Sequence, residues 1–392
     1  MSASPSQRIL GRDPSTGRGI VITTDGGLIK AIDFVEHGEK HWLSAGFVDL
    51  QVNGFAGHDL NGLTLDVATV QALCRAMLKV GVTTFLPTFI TAPEARIVAA
   101  LRTIREACAQ HPDVAAMVAG IHVEGPYIAP EDGPRGAHPA VDVRPPCVAE
   151  FDRWQQAAGG LVKLVTLSPH WLEAPAYVGH LVKSGVMVSL GHTSADAAQI
   201  AAAVDAGATL STHLGNGSHA MLNRRHNHLW PQLADDRLTA MFIADGHHLT
   251  PAQLKAMLRA KGLARSLVVS DTVALGGLPA GKYQTPIGGK VELRADGFLA
   301  IDDGTGNYLA GAALPMTAAI PVLVNQVGVT LDEAIGLLTS APGRMVGGRG
   351  VLAVGQPADL VAFRWDGSSA RPEVAGVWLR GHARLIGDKK EA

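Results

Sequence analysis

The chain has 392 residues, 47% of them hydrophobic and 17% charged, with 33 Lys+Arg against 35 Asp+Glu and a formal net charge of −2. That balance excludes a mainly disordered, collagen-like or coiled-coil chain, and at roughly 100–200 residues per domain the length suggests one large domain plus a smaller one. A near-neutral chain has no global field to attract nucleic acid or an anionic membrane surface, and no apolar run approaches the ~20 residues that cross a bilayer.

Residues 1–44 contain GIVITTDGGLIKAIDF, two short strand-like runs around a DGG turn. The leading segment MSASPSQRILGRDPSTGRG has no continuous apolar stretch, so a cleaved export signal is not expected and a cytoplasmic location is. Eight apolar runs of strand length follow. They are AGFVDLQVNG from Ala45, TTFLPTF from Thr83, MVAGIHVEGP from Met117, LVKLVTLSPH from Leu161, VMVSLGHT from Val186, ATLSTHLGN from Ala208, TAMFIADGHH from Thr239 and SLVVSDTVAL from Ser266. Near-continuous rather than alternating apolarity is the mark of parallel strands buried on both faces.

Spacers such as Val67–Gly81 and Ser194–Ala208 have helical apolar spacing and a Gly stop. Strand–helix alternation repeated eight times predicts an α/β protein with a (β/α)8 TIM-type barrel. The tail, with ADLVAFRW and GVWLRGHARLIG, again reads as β-structure. A small β-sandwich built from both termini is therefore expected, with bounds of 1–44 plus 346–392 around a barrel of 45–345.

The polar residues gather where the runs end: Gln51 and Asn53, Glu124, His170, His192, His213, His248 and Asp271. In a barrel those ends share one rim, where active sites are built. Two imidazoles and a carboxylate, from Glu124, His192 and His213, form a common catalytic zinc set. Their separations suit neither a zinc finger nor HExxH, so the fold must assemble them. Asp271 would sit on the same rim, placed to take a proton from a water there and return it to a leaving amine. The three cysteines, Cys74, Cys108 and Cys147, are widely spaced and odd in number, which fits no disulfide framework and no thiolate metal site. DDGTGN, from Asp303 to Asn307 within 302–307, lacks a dinucleotide or Walker pattern and reads as a turn. The six Trp do not alternate with basic residues as single-strand binders require.

Taken in order, GFVDLQVNG, HVEGPY, VTLSP, GHTSA, THLGN, IADGHH, VSD and LAGAALPM resemble the signatures of the N-acetylglucosamine-6-phosphate deacetylases, in the amidohydrolase superfamily. The resemblance runs nearly the whole chain, since TSAPGRMVGGRGVLAVGQPADLVAF is similar to that superfamily's return from barrel to sandwich. It implies a metal-dependent hydrolase of the N-acetyl group of an amino sugar phosphate, with Glu124, His192 and His213 as ligands of one divalent ion per chain, zinc being the expected ion. Asp271 becomes the general base and acid. Many amidohydrolases carry His-x-His at the end of the first strand and hold a second metal; Gln51 and Asn53 stand there in this chain, and neutral amides are poor zinc ligands. Lys163 lies inside its run and is a poor candidate for a metal-bridging lysine.

The same resemblance gives His138, in RGAHPA, the role of contacting the N-acetyl carbonyl, and His248 a part in binding sugar or phosphate. Asn216 and Gly217 match residues that meet the phosphate, and the segment from Leu309 to Met316 one that closes over the N-acetyl group. THLGNGSHAMLNRRHNHLW departs from the usual pattern; counting from His213, Arg224 lands at the position of the phosphate arginine, with Arg225 the alternative. The resemblance also implies a homodimer, with Arg224 reaching a neighbour's site. The partner is a small-molecule amino sugar, and neither nucleic acid nor a membrane is expected. Three other readings remain open on the residues: an amidohydrolase for another N-acyl amine, a different N-acetylhexosamine phosphate or an unphosphorylated N-acetylhexosamine; a binuclear cyclic-amide hydrolase, which Gln51 and Asn53 disfavour; and a barrel scaffold without chemistry.

Overall fold

The computed structural model describes residues 6–36, 40–285, 289–302 and 309–386. The expected turn at 303–307 thus lies outside the described residues. In chain order the strands are β1 (Gln7–Arg12), β2 (Gly19–Asp25), β3 (Leu28–Val35), β4 (Trp42–Ala45), β5 (Phe47–Val52), the short hairpin β6 (Gly54–Phe55) and β7 (His58–Asp59), and β8 (Val82–Ile90). Then come β9 (Ile121–Glu124), β10 (Val162–Leu167), β11 (Met187–Leu190), β12 (Leu210–Ser211), β13 (Thr239–Ile243) and β14 (Ser266–Val269). The chain continues with β15 (Gly281–Thr285), β16 (Gly289–Leu293), β17 (Leu299–Ile301), β18 (Leu360–Arg364), β19 (Glu373–Leu379) and β20 (His382–Ile386).

Eight of these form one parallel sheet in the order β14-β13-β12-β11-β10-β9-β8-β5, and they are the eight apolar runs read from the sequence. A parallel bridge between Val52 and Thr272, with the Asp271 amide donating to the Gln51 carbonyl at 2.9 Å, joins the two edge strands and closes the barrel. Every residue of β5 is buried, as apolarity on both faces requires. Inside the barrel, Val48, Leu50, Leu86, Leu164, Leu210, Met241 and Leu267 pack into one cluster, while a larger cluster fills the space between strands and helices.

The helices start and stop where local chemistry tells them to. Asp66 caps helix 67–79 by accepting from the Thr69 amide, and Gly81 follows with φ 85°. Asp196 and Gln199 form a reciprocal capping box on helix 197–205.

Both ends of the chain enter a single seven-stranded sheet, ordered β20-β19-β18-β4-β1-β2-β3. The edge strand β3 bonds back to the segment leading into β18, Ile29 N to Gln356 O at 2.9 Å, so the sheet folds over its own core of Ile9, Ile20, Ile22, Leu43 and Leu360. The sequence reading did not anticipate the antiparallel excursion β15–β17, which leaves the barrel after β14.

Candidate active site

The ligand-type side chains sit at or just beyond strand ends: Glu124 is the last residue of β9, and His192, His213 and Asp271 each lie two residues past β11, β12 and β14. All three of these latter residues have positive φ, 48°, 28° and 53°, a conformation that costs a non-Gly residue free energy and collects at functional sites.

The sequence-predicted triad converges. His213 Nε2 lies 3.0 Å and His192 Nε2 3.3 Å from Glu124 Oε1, and the two nitrogens are 3.1 Å apart. The ligand atoms of the three lie within 4.8 Å of one another, all buried. His192 Nδ1 is 2.7 Å from the Pro134 carbonyl, to which it donates, leaving the Nε2 lone pair to face the cluster. His213 Nδ1 is buried without a hydrogen-bond partner. Three electron-rich atoms thus share one small volume with too few protons to pair them, and their two-nitrogen, one-oxygen chemistry suits a divalent cation such as zinc. Burial works to raise Glu124, yet its contacts with His192 and His213 outweigh it and hold the carboxyl well below its usual range.

Gln51 and Asn53 act around the cluster. Gln51 Nε2 donates to Glu124 Oε1 at 2.9 Å, and Asn53 Nδ2 donates to Asp271 Oδ1 at 2.7 Å. Burial and then the nearby Glu124 carboxylate push Asp271 well above the ordinary carboxylate range, against the pull of the Asn53 and Gln51 side chains. His138 packs on His192, ring centroids 4.4 Å apart, and burial holds it down at about 3. His248 is held by Asp245: Nδ1 lies 2.8 Å from Oδ2, and the backbone amide donates to Oδ1 at 2.9 Å.

These groups open onto a cavity of about 720 Å³. Asn53, Glu124, His138, His192, His213, Asn216, Gly217, His248, Asp271 and Leu309 line it, whereas Gln51 stands behind Glu124 and Asp271. Gly217 has φ 56°, and a Cβ there would stand 2.9 Å from His192 Nδ1, so this loop needs glycine to seat the histidine. Arg224 and Arg225 are exposed and do not line the cavity, and His170 instead bonds Ser168 at 2.6 Å. Among the described residues no Lys or Arg lines the cavity. Asp59, Asn61, Thr285, Val291 and Ile301 also line it and were missed from the sequence. The last three ride on β15–β17, whose alternating GKYQTPIGGKVEL could have marked a hairpin.

Known proteins resemble the chain over most of its length. The chain is 33% identical over 362 residues to the N-acetylgalactosamine-6-phosphate deacetylase of Escherichia coli O157:H7, covering 91% of this chain and 92% of that one. It is 31% identical to the N-acetylglucosamine-6-phosphate deacetylase of Bacillus subtilis, covering 83% and 81%. Among solved structures, a mutant N-acetyl-D-glucosamine-6-phosphate deacetylase from Mycobacterium smegmatis in complex with N-acetyl-D-glucosamine-6-phosphate superposes with a TM-score of 0.85 at 25% identity, over 97% of this chain and all of that one. The resemblance read from the motifs is borne out by these relatives. Residues 42–384 match the model of the amidohydrolase family, and the chain belongs to that family as a hydrolase of amide C–N bonds.

Proposed function

We propose that the protein is a metal-dependent deacetylase that hydrolyses the N-acetyl group of an N-acetyl amino sugar phosphate, with N-acetylglucosamine 6-phosphate as substrate and glucosamine 6-phosphate and acetate as products. The observation that carries this reading is the convergence of Glu124, His192 and His213 beside Asp271 in one cavity. Those three residues would hold one divalent ion, zinc by the chemistry of the donors. When bound, such an ion supplies Lewis acidity toward the acetamide oxygen and the attacking water.

The chain's own residues do the rest. Asp271, its Oδ1 fixed by Asn53, takes a proton from the attacking water at Oδ2 and returns it to the departing amine. Thr91 engages His138 Nδ1, its hydroxyl oxygen at 2.8 Å and its amide at 3.4 Å; with the proton on Nε2, the neutral ring donates it to the oxygen on which negative charge develops. Gln51 restrains Glu124. His248, Asn216 and Gly217 bind the sugar and its phosphate, and Leu309 packs against the acetyl group. Arg224 meets the phosphate from a neighbouring copy in a homodimer, a placement supported by its exposure. The enzyme works on a small molecule in the cytoplasm; among the described residues no helix is long and apolar enough to cross a membrane.

A second reading, hydrolysis of a different N-acetylhexosamine phosphate or of an unphosphorylated N-acetylhexosamine, is favoured by two observations. Two of the similar relatives are named for the galactosamine substrate, and the cavity lacks a cation among the described residues. An assay of acetate release from N-acetylglucosamine 6-phosphate, N-acetylgalactosamine 6-phosphate and the two unphosphorylated sugars separates the readings. Asp271→Asn should reduce turnover by about 10²–10⁴-fold with metal content intact; an active variant removes the proton-transfer role.

A further inference from the structure

A second cleft, of about 680 Å³, lies on the other side of the β6–β7 hairpin from the catalytic cavity. Phe55 and His58 of the hairpin line it together with Arg75 and Lys79 of helix 67–79, Gly277, and Arg371 ahead of β19. Asp59, at the end of the same hairpin, lines the catalytic cavity instead. The cleft holds three permanent cations and, among the described residues lining it, no carboxylate. None of Arg75, Lys79 and Arg371 forms an ion pair with a described residue.

This concentration is local, because the chain as a whole carries a formal net charge of −2. It also has a cost. Arg75 and Lys79 stand at i and i+4 on one helix face, where like charges destabilise the helix. Arg371 adds a third from a distant part of the sequence. A bound anion would turn that repulsion into attraction, and guanidinium groups match the paired oxygens of a phosphate. The cleft is nearly as large as the catalytic cavity, a size suited to a sugar-sized molecule.

We propose that this cleft is a binding site for the phosphate group of a small phosphorylated metabolite, separate from the catalytic cavity. The site stands on residues that the proposed deacetylation does not use, so the two readings fail independently.

Calorimetric titration of the metal-replete protein with glucose 6-phosphate tests it, in wild type, Arg75→Ala/Lys79→Ala and Arg371→Ala. All three cations are exposed, so the variants should fold, and an unchanged kcat for acetate release verifies that the catalytic cavity is intact. The expected result is a saturable site in wild type that weakens with added salt and loses about tenfold or more in affinity in the double variant, with a smaller loss in Arg371→Ala. Equal affinity in wild type and the variants would overturn the proposal. So would the absence of saturable sugar-phosphate binding in wild type, including the case in which a single-stranded oligonucleotide is retained at this cleft in its place.

Discussion

At the scale of single residues, the site is defined by who already holds a proton. His192 commits one to Pro134 O and His248 one to Asp245, while Thr91 engages His138 at Nδ1, so each ring has its other nitrogen left for the cavity. His138, held down at about 3 by burial, stays neutral across the working range, and its contribution is a hydrogen bond rather than a charge. Replacing His138 with Gln should lower kcat by about 10²–10³-fold, with metal content unchanged and KM little affected. Steady-state kinetics beside elemental analysis checks this; a variant with full kcat would free His138 of the role. Glu124, His192, His213 and Asp271 were legible because ligand chemistry recurred at the ends of apolar runs. Asp59 and Asn61 were not, since a short hairpin after β5 carries no periodicity to announce them.

At the scale of elements, the strands were the most readable part of the chain and the loops the least. Parallel strands buried on both faces must be largely apolar, so β5 and β8–β14 stand out in the sequence as near-continuous runs, broken by few polar residues such as Asp49 and Gln51. The Gly207 stop was legible as local chemistry, whereas the Asp196–Gln199 box at the start of the same helix was seen only in the structure. Asp196→Ala should cost about 1 kcal/mol of stability, seen as a lower urea midpoint with kcat unchanged; no change would show that packing alone sets that helix start. The loop after β12 shows what counting from a motif leaves open. Asn223 accepts the Arg225 and His226 amides at 2.9 and 3.0 Å, and Asn227 accepts the Leu229 amide at 3.0 Å, a set of turns that leaves Arg224 exposed. Spacing locates such a residue in the chain, while its own backbone bonds decide where it faces.

At the scale of the whole molecule, the barrel is closed by polar as well as apolar contacts. Asp49 in β5 accepts the Ser270 amide at 3.1 Å, tying the first barrel strand to the end of the last beside the site, and the Gln51 amide of its own strand at 3.2 Å. Burial raises its carboxyl to about 6. The folded carboxyl therefore keeps its proton in a range where the unfolded one, near 3.8, has released it. The stability this confers is full below the lower value and is lost as pH rises through the upper one, on the order of 3 kcal/mol in all. Urea midpoints at pH 5 and pH 8 should differ more in wild type than in Asp49→Asn; equal pH dependence would contradict it.

The central claim, that residues from three strands meet around one cation, is tested most directly by elemental analysis of the gently purified protein beside His192→Ala and His213→Ala. The account predicts one divalent metal per wild-type chain, and its loss in both variants while their circular dichroism stays native. Two metals per chain, none, or full retention in the variants would contradict it.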